Sequence, residues 1–178
     1  ASAAESIVKE DEEGTLARLF TTPVTAREIL GGKFLYMFLL MLVQAALLLA
    51  SSSLIFGIRW GTPLSTLLAV LATTAASGGF GLFMISFIKS TRQSGVVFGG
   101  VMTVSAMLGG LFTTGIPNMP AAWEIVSLGT PHGWVLRCWQ LSLSGSSPGE
   151  MLGTVLITIL VGLVLFSAGA ARFHKRFA

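Results

Sequence analysis

Residues 34–57 read FLYMFLLMLVQAALLLASSSLIFG, a run with no charged side chain and with leucine, methionine and phenylalanine all round any helix it could form. A helix rises 1.5 Å per residue, so about 20 such residues cross the ~30 Å hydrocarbon core of a bilayer. A helix apolar on every side has no face to offer water. Three further runs share this character: residues 64–88, 95–116 and 151–171. Each is bounded by a basic residue, a proline or a polar turn. The whole chain is 53% hydrophobic and only 11% charged, with a mean hydropathy of +0.81. A soluble domain with four all-apolar helices in 178 residues would lack the polar surface to stay dissolved. The expected fold is an all-α integral membrane domain, residues 1–178, with four transmembrane helices.

Charge placement orients it. Lys9, Arg18, Arg27, Lys33, Lys89, Arg92, Arg172, Lys175 and Arg176 fall before the first run, between the second and third, and after the fourth; only Arg59 and Arg137 fall in the other two connections. Basic residues stay on the cytoplasmic side. The expectation is that both ends, residues 1–33 and the tail 172–178, are cytoplasmic. All four tryptophans, Trp60, Trp123, Trp134 and Trp139, then lie on the outer side, where indole rings favour the headgroup level. The net charge of +3 follows from this topology and is no nucleic-acid footprint.

Residues 1–33 lack the basic start and short apolar core of a secretory signal. The opening Ala1-Ser2-Ala3-Ala4 has the character of the end of an earlier membrane helix, so the chain is expected to be the C-terminal part of a longer subunit. Gly14 breaks an acidic stretch that includes Glu12 and Glu13, and Thr15 can cap a short helix that places Leu16, Leu19 and Phe20 on one face beside Arg18, before Pro23 ends it. Thr25-Ala26-Arg27-Glu28 has the form of a capping box for the next helix. A short amphipathic helix held between two breaks suits a groove on a cytoplasmic partner; the alternative is a helix lying flat on the lipid surface.

Glu12-Glu13-Gly14-Thr15-Leu16, then Arg18-Leu19, Thr22-Pro23-Val24 and Lys33, resembles the signature of type-2 ATP-binding cassette exporter permeases. The resemblance implies that Thr15 to Pro23 form a coupling helix, seated in a nucleotide-binding subunit, that carries ATP-driven motion to the membrane helices. A second match follows in order: Ile116-Pro117-Asn118-Met119-Pro120, Trp123 and Thr130-Pro131 resemble the family's segment where two short helices re-enter the membrane from outside. Independently, residues 120–143 are too interrupted to span, by Glu124, Pro131, His132 and Arg137, yet are rich in tryptophan and leucine. A re-entrant hairpin over 117–145 is therefore expected, with an ordinary outer loop as the alternative. The resemblance implies as partners a separate ATPase subunit that holds ATP and magnesium, a second permease copy or homologue, and membrane lipid. It also implies the bacterial or archaeal cytoplasmic membrane, with substrate moving outward. The competing function is a non-transporting anchor or assembly subunit.

No Asp, Glu, Lys, Arg or His lies inside the four runs, whereas ion-coupled carriers place such groups at membrane depth. Gln44, Thr73, Thr74, Thr103 and Ser105 are the polar groups that can face a substrate path or bond a neighbouring helix. Mostly apolar spans favour a hydrophobic or amphipathic cargo. Small residues, among them Ser77, Gly78, Gly81, Gly95, Gly99, Gly100, Gly109 and Gly110, point to close helix packing, with Gly95 and Gly99 in a small-xxx-small pattern. Catalytic chemistry finds no place. Gly31-Gly32-Lys33 lacks the earlier glycine and the following Ser or Thr of a phosphate loop, having Arg27 and Phe34 there. An intramembrane hydrolase on Ser77 would need a histidine at its depth, but His132 and His174 lie in the outer segment and the tail. The single Cys138 excludes an internal disulfide, and no cluster has metal-ligand spacing.

Overall fold

A computed structural model describes residues 9, 13, 26–88, 90–114, 116 and 120–177. Within them the chain forms six helices and no strand: α1 (Ala26–Phe56), α2 (Pro63–Ile85), α3 (Thr91–Leu108), α4 (Ala121–Leu128), α5 (Pro131–Leu143) and α6 (Pro148–Phe177). Local chemistry sets the ends. Thr62, Ser90 and Thr130 each cap a helix by accepting the backbone N–H three residues on, and Pro63 and Pro131 occupy first helical positions, where no N–H is needed. Ser147 and Glu150 form a capping box for α6: the Ser147 N–H donates to Glu150 Oε2 at 2.9 Å and the Glu150 N–H to Ser147 Oγ at 3.4 Å.

Among the described residues three stretches are long and apolar enough to cross a membrane: Leu35–Phe56, Pro63–Ile85 and Pro148–Arg172. The run 95–116 is not among them, because its helix stops at Leu108. Gly109 caps it and Gly110 takes φ +83°, a left-handed conformation that costs glycine little; the Thr113 and Thr114 hydroxyls then donate to the Gly110 carbonyl. The last helix is longer than the run 151–171 and continues through the basic end to Phe177. In place of one loop, the segment from 117 to 145 carries two short helices, α4 and α5.

α2 is the central helix, packed against α6, α5, α1 and α3. Its main seam, with α6, is made by absent side chains. A Cβ on Gly162 would stand 2.5 Å from the Ala75 carbonyl oxygen, one on Gly169 2.9 Å from the Phe83 Cα, and one on Gly79 would strike the Gly162 carbonyl. Backbones this close gain dispersion contacts along their length, which lipid does not offer in competition. Beside the seam, Ala69, Ala72, Cys138, Met151 and Val155 form a buried cluster. Polar side chains within the spans bond back to their own helices, Thr73 to the Ala69 carbonyl, Thr74 to Val70 and Thr158 to Thr154, and among the described residues no buried side-chain nitrogen or oxygen lacks a partner. That is the condition hydrocarbon imposes. Leu39, Leu47, Leu48 and Leu54 of α1 are exposed, a surface that only an apolar solvent or a neighbouring helix satisfies.

The α1–α2 and α5–α6 connections meet at one end of the bundle. Ser142 Oγ donates to the Trp60 carbonyl at 2.6 Å, and Ser65 Oγ to the Ser146 carbonyl at 3.2 Å. Gly61, at φ +103°, passes so near Ser142 that a Cβ there would strike its carbonyl.

Candidate functional site

Between α1 and α2 lies a cavity of about 210 Å³. Gln44 stands on its α1 wall, near the middle of the span Leu35–Phe56, and Thr73, Thr74 and Ser77 on its α2 wall; Met41, Leu48 and Val70 supply the apolar remainder, and Trp139 reaches in from α5. Amide and hydroxyls thus face one another at membrane depth across an otherwise apolar cleft.

The hydroxyls differ in availability. Thr74 donates to the Val70 carbonyl at 2.8 Å. Thr73 donates to the Ala69 carbonyl at 2.7 Å and accepts from Trp139 Nε1 at 2.9 Å, so its position is fixed from two sides. Gln44 and Ser77 form no hydrogen bond with the described residues, and both are exposed. An amide presents two donors and a two-lone-pair acceptor, so Gln44 offers the cleft both kinds of hydrogen-bonding group. Trp139 also packs edge-on against Trp60, ring centroids 5.4 Å apart, so one side chain touches both the end connection and the cleft wall.

Of the five polar residues singled out for a substrate path, the structure brings Gln44, Thr73 and Thr74 together and leaves the other two on α3. Ser105 Oγ lies 2.9 Å from His132 Nδ1 on α5, and Thr103 is exposed. His132 also meets the Phe80 ring edge-on at 5.7 Å. Burial holds the His132 pKa below its ordinary 6.5, so at neutral pH an uncharged imidazole joins α3 to α5. Gly109 makes room for this contact: a Cβ there would stand 2.5 Å from the His132 Cβ. His132 is bonded to Ser105, and Ser77 faces the α1–α2 cleft.

In the α4–α5 segment, Pro120 precedes α4, Trp123 Nε1 donates to Thr113 Oγ1 at 3.1 Å, and Pro131 opens α5. Trp134 Nε1 donates to the Leu128 carbonyl at 2.8 Å, drawing the short helices into a hairpin, and a Cβ on Gly133 would strike the Ser127 carbonyl. Pro117 and Met119 lie outside the described residues, as do Glu12, Gly14, Thr15, Leu16, Arg18, Leu19, Phe20 and Pro23. Glu13 is described: its backbone N–H donates to the Lys9 carbonyl at 2.9 Å and its carboxylate lies 3.8 Å from the Lys9 ammonium, one helical turn away.

Sequence reasoning placed Trp139 with the interfacial tryptophans and missed its hydrogen bond into the cleft. Its place in the segment opened by Thr130-Pro131 was readable, but which face meets α2 was not. That bond gives a test by double-mutant cycle. Trp139→Phe keeps the ring bulk but removes the donor, and Thr73→Val removes the acceptor. Each single change should lower stability by about 1 kcal/mol, with the pair costing clearly less than the sum; thermal melts in detergent measure it, and strict additivity would deny the bond.

Among known proteins, the ABC-2 family transporter protein model matches residues 1–171. The chain is 25% identical over 169 residues to the linearmycin resistance permease protein LnrN of Bacillus subtilis (strain 168), covering 94% of this chain and 43% of that protein. It is 27% identical over 174 residues to the inner membrane transport permease YhhJ of Escherichia coli (strain K12), covering 96% and 46%. The chain thus spans under half the length of these curated relatives. No solved structure matches it. The chain, whose described residues form helices and no strand, three of those helices long and apolar enough to cross a membrane, is matched from ahead of α1 nearly to the end of α6 and belongs to the ABC-2 family of transporter proteins, the permeases of ATP-binding cassette systems.

Proposed function

We propose that the chain is a membrane-spanning part of an exporter permease that moves a hydrophobic or amphipathic substrate outward, driven by ATP hydrolysed on a partner subunit. The observation that carries this reading is the cleft between α1 and α2, where the unbonded Gln44 amide faces Thr73 and Ser77 within apolar walls. Such a lining slides a polar group past without holding it, as transport requires. The permease names of both relatives, and the resistance named for one of them, support efflux.

In this reading residues 1–33 lie in the cytoplasm, Thr15 to Pro23 seat in the ATPase subunit, and the α4–α5 hairpin enters the outer leaflet. A second permease copy or homologue completes the path. Closure of the ATPases on ATP pulls the coupling helix and, through α1, opens or closes the cleft along its α2 wall. The count of basic residues supports this orientation.

Purification of the full-length protein from its native membrane in mild detergent tests the proposal. An ATP-binding subunit should accompany it at a ratio of about one to one, identified by mass spectrometry. Repeated absence of any ATPase under gentle conditions would leave a membrane anchor or assembly subunit.

A further inference from the structure

At the tryptophan-rich end, a second and larger cavity, about 420 Å³, opens between the turn after α3 and the two short helices. Its charges are divided by helix. Glu124 stands on α4, while Arg137 and Gln140 stand three residues apart on α5, which places them on one face. The ion pair across the rim is a single contact, Arg137 Nη1 donating to Glu124 Oε1 at 3.1 Å. Among the described residues the second carboxylate oxygen and the remaining guanidinium N–H groups have no partner, and Gln140 forms no hydrogen bond.

The walls are of another kind. Ile116, Leu128 and Leu136 line the cavity, and beside it Leu111, Phe112 and Ile125 turn apolar side chains outward, Phe112 66% and Ile125 76% exposed. The Trp123 ring is held at the cavity by its bond to Thr113. A pocket with an acceptor on one side, donors on the other and an apolar skirt facing the membrane matches one kind of molecule: a lipid whose head carries both charges. We propose that this cavity binds the headgroup of a zwitterionic phospholipid bearing a primary ammonium, a phosphatidylethanolamine.

The ammonium donates to the Glu124 carboxylate, the phosphate accepts from Arg137 and Gln140, and the acyl chains run down the apolar skirt. A primary ammonium offers N–H donors to the carboxylate and a trimethylammonium offers none, so phosphatidylcholine fits less well. An anionic lipid finds Arg137 but is repelled by Glu124. Lipid in this site bridges α4, α5 and the turn after α3.

Native mass spectrometry of the full-length protein, titrated with phosphatidylethanolamine, phosphatidylcholine and phosphatidylglycerol, tests it. Glu124 and Arg137 are exposed, so their pair adds little stability, and Glu124→Gln and Arg137→Gln should melt like the wild type. Phosphatidylethanolamine should bind in preference to the other two. Each variant should weaken that binding by about tenfold, the worth of one charge-assisted contact, while Glu124→Gln leaves phosphatidylglycerol binding unchanged or stronger. If Glu124→Gln does not weaken phosphatidylethanolamine binding, the site reads phosphate alone and the zwitterionic assignment falls. If neither variant changes any lipid's binding, there is no headgroup site. Competition by glycerophosphoethanolamine, the head without its tails, at the lipid's own concentration would make the ligand a soluble molecule and overturn the lipid assignment.

Discussion

Gly162→Leu should leave the protein unable to hold α2 against α6, with a loss of about 3 kcal/mol or more in stability and little folded protein recovered from the membrane. A Cβ at this position would stand 2.5 Å from the Ala75 carbonyl oxygen and 2.9 Å from the Ala76 nitrogen. Both are backbone atoms of a helix that cannot bend away locally. Relief requires parting the helices, and Gly79 and Gly169 close the same seam at and beyond this point, so parting forfeits the whole line of contact. Water would resist that separation by the hydrophobic effect, but lipid is as apolar as the faces it would wet and offers no resistance. Gly153→Leu is the matched control: it lies on the same helix, and a Cβ there meets nothing within 4 Å. Size-exclusion profiles and thermal melts of the full-length variants measure the contrast. A Gly162→Leu protein that melts like Gly153→Leu would show that α2 and α6 do not pack at this point.

That seam also marks where the sequence stopped being readable. Charge-free runs betray membrane helices because the solvent enforces them residue by residue, and α1, α2 and α6 were visible on that ground. Which helix meets which is decided by pairs of residues remote in sequence. The small-xxx-small pattern at Gly95 and Gly99 looked like the packing face, yet a Cβ at Gly95, Gly99 or Gly100 meets nothing within 4 Å; the contacts fall to Gly79 with Gly162, a pair that the sequence does not single out for packing. The run 95–116 read as a full span because the average over it hides Gly109-Gly110, where the helix ends. The cleft was half legible. Gln44 and Thr73 stood out as polar residues in apolar runs, and the structure sets them on one cavity, while Ser105, equally conspicuous, bonds His132 instead. A hydroxyl's sequence context does not reveal whether its partner is a substrate or a neighbouring helix.

Replacing Leu16 and Phe20 together by Asp should reduce transport to background while the protein still inserts and folds. The two residues lie four apart between Gly14 and Pro23, a spacing that predicts one shared face of a short helix. If that face seats in the ATPase subunit, two carboxylates would have to be buried in an apolar groove without partners. Central apolar contacts in such interfaces are worth 2 kcal/mol or more each, and an unpaired buried charge adds to the penalty, so a loss of about 3 kcal/mol, roughly a hundredfold in affinity, is a conservative expectation. The helices described here begin at Ala26, beyond the substituted turn, so the bundle should melt as before. Transport into inverted vesicles and ATP hydrolysis, measured side by side, separate the readings. Lost transport with a reduced or substrate-insensitive ATPase marks a coupling helix. Intact transport with weaker adsorption of this segment to lipid would mark a helix lying on the membrane surface. Glu12→Gln and Glu13→Gln provide the gradation: rim charges steer association more than they hold it, so these variants should keep most of the transport and lose mainly its dependence on salt.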